Sequence, residues 1–465
     1  MPELDILDKI FLLAEPHFNQ IFYLKSANYK DGFSGDLSIL AFDIEERTIC
    51  DTKEELDNFV ENLKQSEVNE FENACFCIIG YEASGIFTSN IILQKLMLQE
   101  QYINSNTFKV KNQILIYKFK QVIVYNRVEG KIIYQKKELD TIFNPLKNNI
   151  SQSMLKHSFG LDAMDSNIDD EYYIKSVDSI IKQIVAGDYL QTNFTRKYFK
   201  SIALNKILNP AAAFLKLASL SGSFYASYAK DINSNTLKAN TLKANSHKIN
   251  DTYNDNSFII ISSSPERLVK KNGNRIVSNP IKGSVKINDF NLNDDLIKTL
   301  LNQKNKAENL MITDMLRNEF SQLSAPGEVK TELFKIDKYR HIAHLSSQIE
   351  AFVPKDIKLS YILQAVFPPG SMTGAPKLAA IKAATNLEPT PRGFYSGCLG
   401  YFTKHKSSLN LDLCVLIRLI TIEIMGSNTM ISTQAGGGIT HLSTPQDELF
   451  ELKAKLQIVN KVLFS

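Results

Sequence analysis

No stretch of the 465 residues stays apolar long enough to cross a membrane. The opening residues, MPELDILDKIFLLAEPHF, place acids ahead of a short apolar run and have no basic region, which argues against a secretory leader. With a formal net charge of +3 and dispersed lysines, the chain has no basic stripe of the kind that binds nucleic acid. Cysteine is scarce and odd in number: Cys50, Cys75, Cys77, Cys398 and Cys414. Cys75-Phe76-Cys77 lacks the spacing of a redox pair, and no second pair completes a zinc site. Such cysteines read as small buried hydrophobes of a reducing compartment. These absences predict a cytoplasmic protein with neither membrane nor nucleic acid as a partner.

What is present suits a globular enzyme-sized chain. Hydrophobic residues make up 44% and charged residues 22%, enough to bury a large core. The length predicts two or three units. Residues 1–150 read as β-rich, with apolar runs at Leu37–Phe42, Phe76–Ile79, Ile114–Tyr117, Val122–Tyr125 and Lys131–Tyr134. Polar, irregular sequence over 145–169 marks a boundary, and 165–465 forms a second unit. Inside it, 230–257 is a polar insertion with a tandem copy, Asn235-TLKA then Asn240-TLKA, expected to be an extended loop.

Asp170–Ala186 reads as an amphipathic helix with Tyr173, Val177, Ile180, Ile181 and Ile184 on one face and Gly187 as its stop. Helices are also predicted over 294–318, 358–367 and 375–386, with a closing helix at Pro445–Leu463. Strands are expected over 189–198, 400–402, 409–424 and 430–434, which places Arg418 inside a strand. The most pointed local pattern is SPERLVKKNGNRIVSNPIKGS, Ser264 to Ser284. It reads as a hairpin turning at Lys271–Asn274, then bending sharply between Pro280 and Gly283 around Lys282. A lysine amine held at such a bend near Glu266 suits nucleophilic or acid/base chemistry; the alternative is a solvated loop lysine.

Several segments then match one pattern in one order: GDYLQTNFTRKY, SPERLV, NPIKGS, KAENLMITDMLRNEF, HIAHLSSQIE, PPGSMTGAPKLAAI, EPTPRGFYSGCLGYF, and QAGGGI followed by TPQDELFELKAK. The chain resembles the chorismate-utilising enzymes over roughly 170–460, and more loosely through FYLKSANYKDGFSGDLSILAFD. Its NPIKGS resembles the aminodeoxychorismate synthase branch, since anthranilate synthases typically have alanine where Lys282 stands. Isochorismate-type members use a lysine base where this chain has Gln191. The fold implied is α+β: two large, mainly antiparallel sheets packed face to face with helices outside.

The resemblance also implies a site. Lys282 is the nucleophile and Glu266 the acid. His344 is a general acid/base partner or ring-orienting group, or else a satisfied core histidine. Glu308 and Glu451, with Glu448 beside them, are implied Mg²⁺ ligands. Arg418 is implied to hold the enolpyruvyl carboxylate, with Tyr395 at the ring and Lys455 near the metal-bound end. Gly436, Gly437 and Gly438 bring backbone N–H groups to an anion, or form a plain turn. Ser371 and Thr373 are hydroxyl donors or helix caps. No cysteine stands in a Gly-x-Cys-x-Gly setting, so a separate glutaminase subunit is expected to supply ammonia. No sequence beyond the closing helix is available for a fused lyase.

Overall fold

The computed structural model describes residues 4–26, 37–88, 113–136, 151–221, 223–233, 257–287, 291–338, 342–425 and 428–465. Most of the polar insertion, 234–256 with its tandem copy, lies outside them, as do residues 145–150 of the proposed 145–169 boundary. In chain order the strands are β1 (Gln20–Ser26), β2 (Leu37–Cys50), β3 (Cys75–Ile79), β4 (Ile114–Asn126), β5 (Lys131–Gln135), β6 (Asp165–Ser166), β7 (Gln191–Ala203), β8 (Tyr225–Asp231) and β9 (Ser257–Ser264). They continue as β10 (Arg267–Asn272), β11 (Arg275–Asn279), β12 (Ile281–Lys286), β13 (Lys330–Lys338), β14 (Ile342–Phe352), β15 (Gly374–Ala375), β16 (Cys398–His405), β17 (Ser408–Val415), β18 (Leu419–Met425) and β19 (Asn428–Ile439).

Antiparallel pairing runs without a break from β7 through β19, β18, β9, β8, β1, β2, β4, β3, β16, β17, β10 and β11 to β14. The expected two-layer sandwich is therefore one ladder folded on itself. Phe22, Ile39, Phe258 and Ile260 from one end of it share an interior with Val269, Ile276, Ile349 and Leu413 from the other. The alternate residues Ile21, Tyr23, Leu40, Ile259 and Ile261 turn outward, into a second core beneath the helices Ile6–Ala14, Pro210–Ser221 and Pro445–Leu463. Burial on both faces explains why runs such as FIII read as continuous apolar stretches rather than alternating ones.

Local chemistry sets the helix ends that matter below. Asp169 caps Asp170–Ala186 by accepting from the Tyr172 N–H at 2.7 Å, and Gly187 ends it at φ +89°. Tyr173, Val177, Ile180 and Ile184 are buried as the periodicity predicts. Thr444 caps Pro445–Leu463, whose first turn carries Asp447 and Glu448 at the positive end of the dipole.

Two expectations need correction. The early segment contains helices at Ile6–Ala14 and Lys53–Glu61, each opened by a capping box, that the β-rich reading missed. The run 409–424 is not one strand: it breaks between β17 and β18, and Arg418 sits in the break with φ +49°. A left-handed residue cannot continue the pleat, so Arg418 turns out of the ladder instead of lying within it.

Candidate active site

Lys282 reaches its place through a backbone irregularity. Ile281 pairs with Ser346, but the next pair is Ser284 with His344, so β12 carries one residue more than β14 across this interval. Such a bulge re-aims a side chain. Gly283 makes it possible: its φ is +88°, and a Cβ there would lie 2.8 Å from the Asn305 amide nitrogen. Pro280 anchors the other side of the bend, its carbonyl accepting from the Ser347 N–H at 3.1 Å.

The bend opens onto a cavity of about 470 Å³, a volume suited to a small polar ligand. Lys282, Glu266, Ser371, Tyr395 and Arg418 line it, together with Gly436, Gly438, Glu308, Glu448, Glu451 and Lys455. Eleven residues named from the sequence thus meet at one place. A smaller cavity of about 60 Å³, between Leu24, Tyr225, Arg267 and Tyr401, shares none of this lining.

The charges divide between two groups of lining residues. In one, Glu266 is buried and accepts a hydrogen bond from Ser371 Oγ. Burial raises its carboxyl above the ordinary range, against the opposing pull of the Ser371 bond and the Lys282 charge. The Lys282 charge also lowers Glu451, so this amine stands within electrostatic reach of carboxylates on both sides of the cavity. In the other, the closing helix presents Glu448, Glu451 and Lys455 along one face, with Glu448 buried. Lys455 donates to the Gly436 carbonyl at 2.8 Å and pairs with Glu451 at 2.7 Å. That pairing holds Glu451 below its usual value, while burial and the neighbouring Glu451 charge raise Glu448. Lys304 lies 3.9 Å from Glu308 and lowers both Glu448 and Glu451, so the three carboxylates gather about one ammonium.

These carboxylates fit Mg²⁺ as a donor set. All are hard oxygens facing an open polar cavity, and the repulsion between Glu448 and Glu451 is of the kind a divalent cation relieves. No group of three or more His, Cys, Asp or Glu able to hold a metal occurs among the described residues. Mg²⁺ needs no such cage, because it commonly keeps waters and takes one or two protein carboxylates.

Arg418 is a half-buried cation on the cavity wall. Its guanidinium donates to Ser223 Oγ at 3.1 Å and has no carboxylate partner among the described residues; burial lowers it to about 10. The glycines of β19 are cleared for space. A Cβ on Gly437 would lie 2.7 Å from Glu448 Oε2, and one on Gly438 would lie 2.2 Å from Gln191 Nε2 and 3.5 Å from Lys282 Nζ. Gly438→Ala is therefore expected to reduce kcat/KM by about 10²-fold while the protein still folds, checked by steady-state kinetics beside a melting curve.

Three candidates stand apart from the lining. Thr373 spends its hydroxyl on the Pro369 and Gly370 carbonyls, in a helical turn. Gly437 acts only through the clearance it leaves for Glu448. His344 hydrogen-bonds Ser284 Oγ from behind the bend, and burial, followed by the Arg418 charge, lowers its pKa to about 3, leaving a neutral imidazole at physiological pH. Reading the sequence alone missed Asn193, Gln434, Lys304 and Asn305 on the cavity wall, although Asn193 and Gln434 lie within matched segments and Lys304 and Asn305 just before one.

Comparison with known proteins identifies the family. The family model of chorismate binding enzymes matches residues 19–461. The chain belongs to that family. It is 32% identical over 289 residues to a chloroplastic aminodeoxychorismate synthase of Arabidopsis thaliana, covering 61% of this chain and 28% of the relative. Aminodeoxychorismate synthase component 1 of Bacillus subtilis is 29% identical over 294 residues, 63% of this chain and 55% of that one. Anthranilate synthase component 1 of Haloferax volcanii is 35% identical over 203 residues, 42% and 38% of the two. The chain thus spans less than two thirds of each of these relatives. Among solved structures, anthranilate synthase component I from Streptococcus pneumoniae superposes with a TM-score of 0.65 at 19% identity, covering 92% of both chains. The Escherichia coli isochorismate synthase MenF gives 0.66 at 16% identity, covering 99% of this chain and 92% of its own. These neighbours share the fold.

Proposed function

We propose that this chorismate-binding enzyme is an aminodeoxychorismate synthase component I, converting chorismate and ammonia to 4-amino-4-deoxychorismate on the route to p-aminobenzoate. The observation that carries the reading is the position of Lys282, turned by the β12 bulge into the cavity that Glu266 and Glu451 also line. Lys282 Nζ attacks C2 of the ring, the double bonds C1=C2 and C5=C6 shift to C1=C6 and C4=C5, and the C4–O bond breaks as Glu266 delivers its proton to the departing hydroxyl, releasing water. The alkylated amine returns a proton to the Glu266 carboxylate, and the ring is held through a C2–N bond. Ammonia then attacks C4, both double bonds return to their first positions, and Lys282 leaves as the C2–N bond breaks, the proton lost by the new C4 ammonium balancing the one the lysine regains. The enolpyruvyl group survives because no step touches C3.

Arg418 would take the enolpyruvyl carboxylate and Tyr395 the ring. Glu308 and Glu451, with Glu448 adjoining, would hold Mg²⁺, which when bound neutralises the ring carboxylate. Removing divalent cations with a chelator is expected to abolish turnover, and added Mg²⁺ to restore it. Glu451→Gln should raise the Mg²⁺ concentration for half-maximal rate by roughly tenfold or more. A separate glutaminase subunit would supply the ammonia. The test is product analysis with chorismate, Mg²⁺ and an ammonium salt: 4-amino-4-deoxychorismate is expected, and anthranilate with pyruvate would overturn the reading. Glutamine as sole nitrogen source, with no added protein, should give no product.

A further inference from the structure

Arg392 is 3% exposed and lies outside the proposed machinery, yet it binds that machinery together. Its guanidinium donates twice to Glu388, at 2.8 Å each, once to the Met372 carbonyl at 2.6 Å and once to the Asn193 carbonyl at 2.9 Å. Glu388 in turn accepts the Thr195 N–H at 3.0 Å. One side chain thereby fixes β7, the Gly370–Thr373 turn and the loop leading to Tyr395. Asn193 Nδ2 closes the link by donating to the Ser371 carbonyl at 3.3 Å.

The loop bearing Arg392 is held from a distant part of the sequence. Glu82 accepts the backbone N–H of Arg392 at 2.7 Å and that of Gly393 at 2.9 Å, and the adjoining Tyr81 ring lies 4.6 Å from the guanidinium carbon. Buried carboxylates with two such donors are costly to disturb. We propose that Glu82 and Arg392 are positioning residues for catalysis, holding Ser371 so that its hydroxyl donates to Glu266. Tyr81 and Glu82, from the early segment, then help to hold the Glu266 side of the cavity.

The proposal rests on Glu266 being the proton donor of the reading above. The Ser371 hydrogen bond opposes the rise of the Glu266 carboxyl caused by burial, so losing it moves that group further up. Glu82→Gln keeps the shape but presents an NH₂ to one of the two backbone donors; Arg392→Lys keeps the charge but loses the fork. Each is made in the wild-type and Ser371→Ala backgrounds, confirmed folded by its melting curve, and followed by chorismate consumption whatever the product. Each variant alone is expected to lower kcat by about tenfold with KM held within about twofold. The alkaline limb should move up by about one pH unit. In the Ser371→Ala background neither substitution should cost more than about twofold, because the group through which it acts is already gone. An equal loss in both backgrounds, an unmoved limb, or a change confined to KM would overturn the proposal. Consumption of chorismate to a product other than the 4-amino compound would instead defeat the functional reading and leave this coupling measurable.

Discussion

Lys282→Ala should lower formation of 4-amino-4-deoxychorismate by roughly 10³-fold or more, because it removes the atom that forms the transient bond and no neighbouring group can replace it. The loss should fall on kcat. Substrate holding is assigned to Arg418, Tyr395 and the carboxylate end of the cavity, none of which depends on the amine. Folding should survive, since Lys282 is half-buried and makes no hydrogen bond or ion pair among the described residues. An unchanged melting curve with an inactive enzyme is the expected pair of results. A variant that still aminates C4 at the wild-type rate would reduce Lys282 to a spectator of electrostatics.

Glu266→Gln tests the other half of the same step. Loss of a general acid costs about 10²–10⁴-fold, and Gln keeps the size and the ability to accept from Ser371. The pH profile separates chemistry from damage. Burial raises the Glu266 carboxyl, so the protonated, donating form persists to higher pH than for an exposed glutamate and is lost as pH rises through that raised value. The wild-type kcat/KM should therefore fall on an alkaline limb that the Gln variant lacks. Were the variant to keep that limb, the limb would belong to another group and Glu266 would lose its assigned role. His344 is no rival for it: with a pKa lowered to about 3 it is a neutral imidazole at neutral pH, and its remaining N–H is too weak an acid to protonate a leaving hydroxyl.

Much of the site was legible because each functional residue sits next to a residue with strong local constraints. Gly283 and Pro280 announced the bend, and Gly187 the end of the helix before β7. The β12 bulge could not be foreseen, since an extra residue exists only relative to the partner strand. Arg418 was misplaced for a related reason: a single left-handed residue in an apolar run leaves the periodicity intact while breaking the strand. Fully buried strands such as β9 alternate between two cores, so their faces are not distinguished by polarity. Glu82 escaped notice because its partners, the Arg392 and Gly393 amides, lie about three hundred residues away and are backbone groups without a sequence signature.

The most direct measurement is the mass of the intact protein after rapid mixing with chorismate and Mg²⁺ in the absence of ammonia, followed by acid quench and peptide mapping. The account predicts a species heavier by chorismate less water, with the added mass on the peptide containing Lys282, and its disappearance when ammonium is present. An active enzyme that never gains this mass, or gains it on another residue, would contradict the covalent role of that amine.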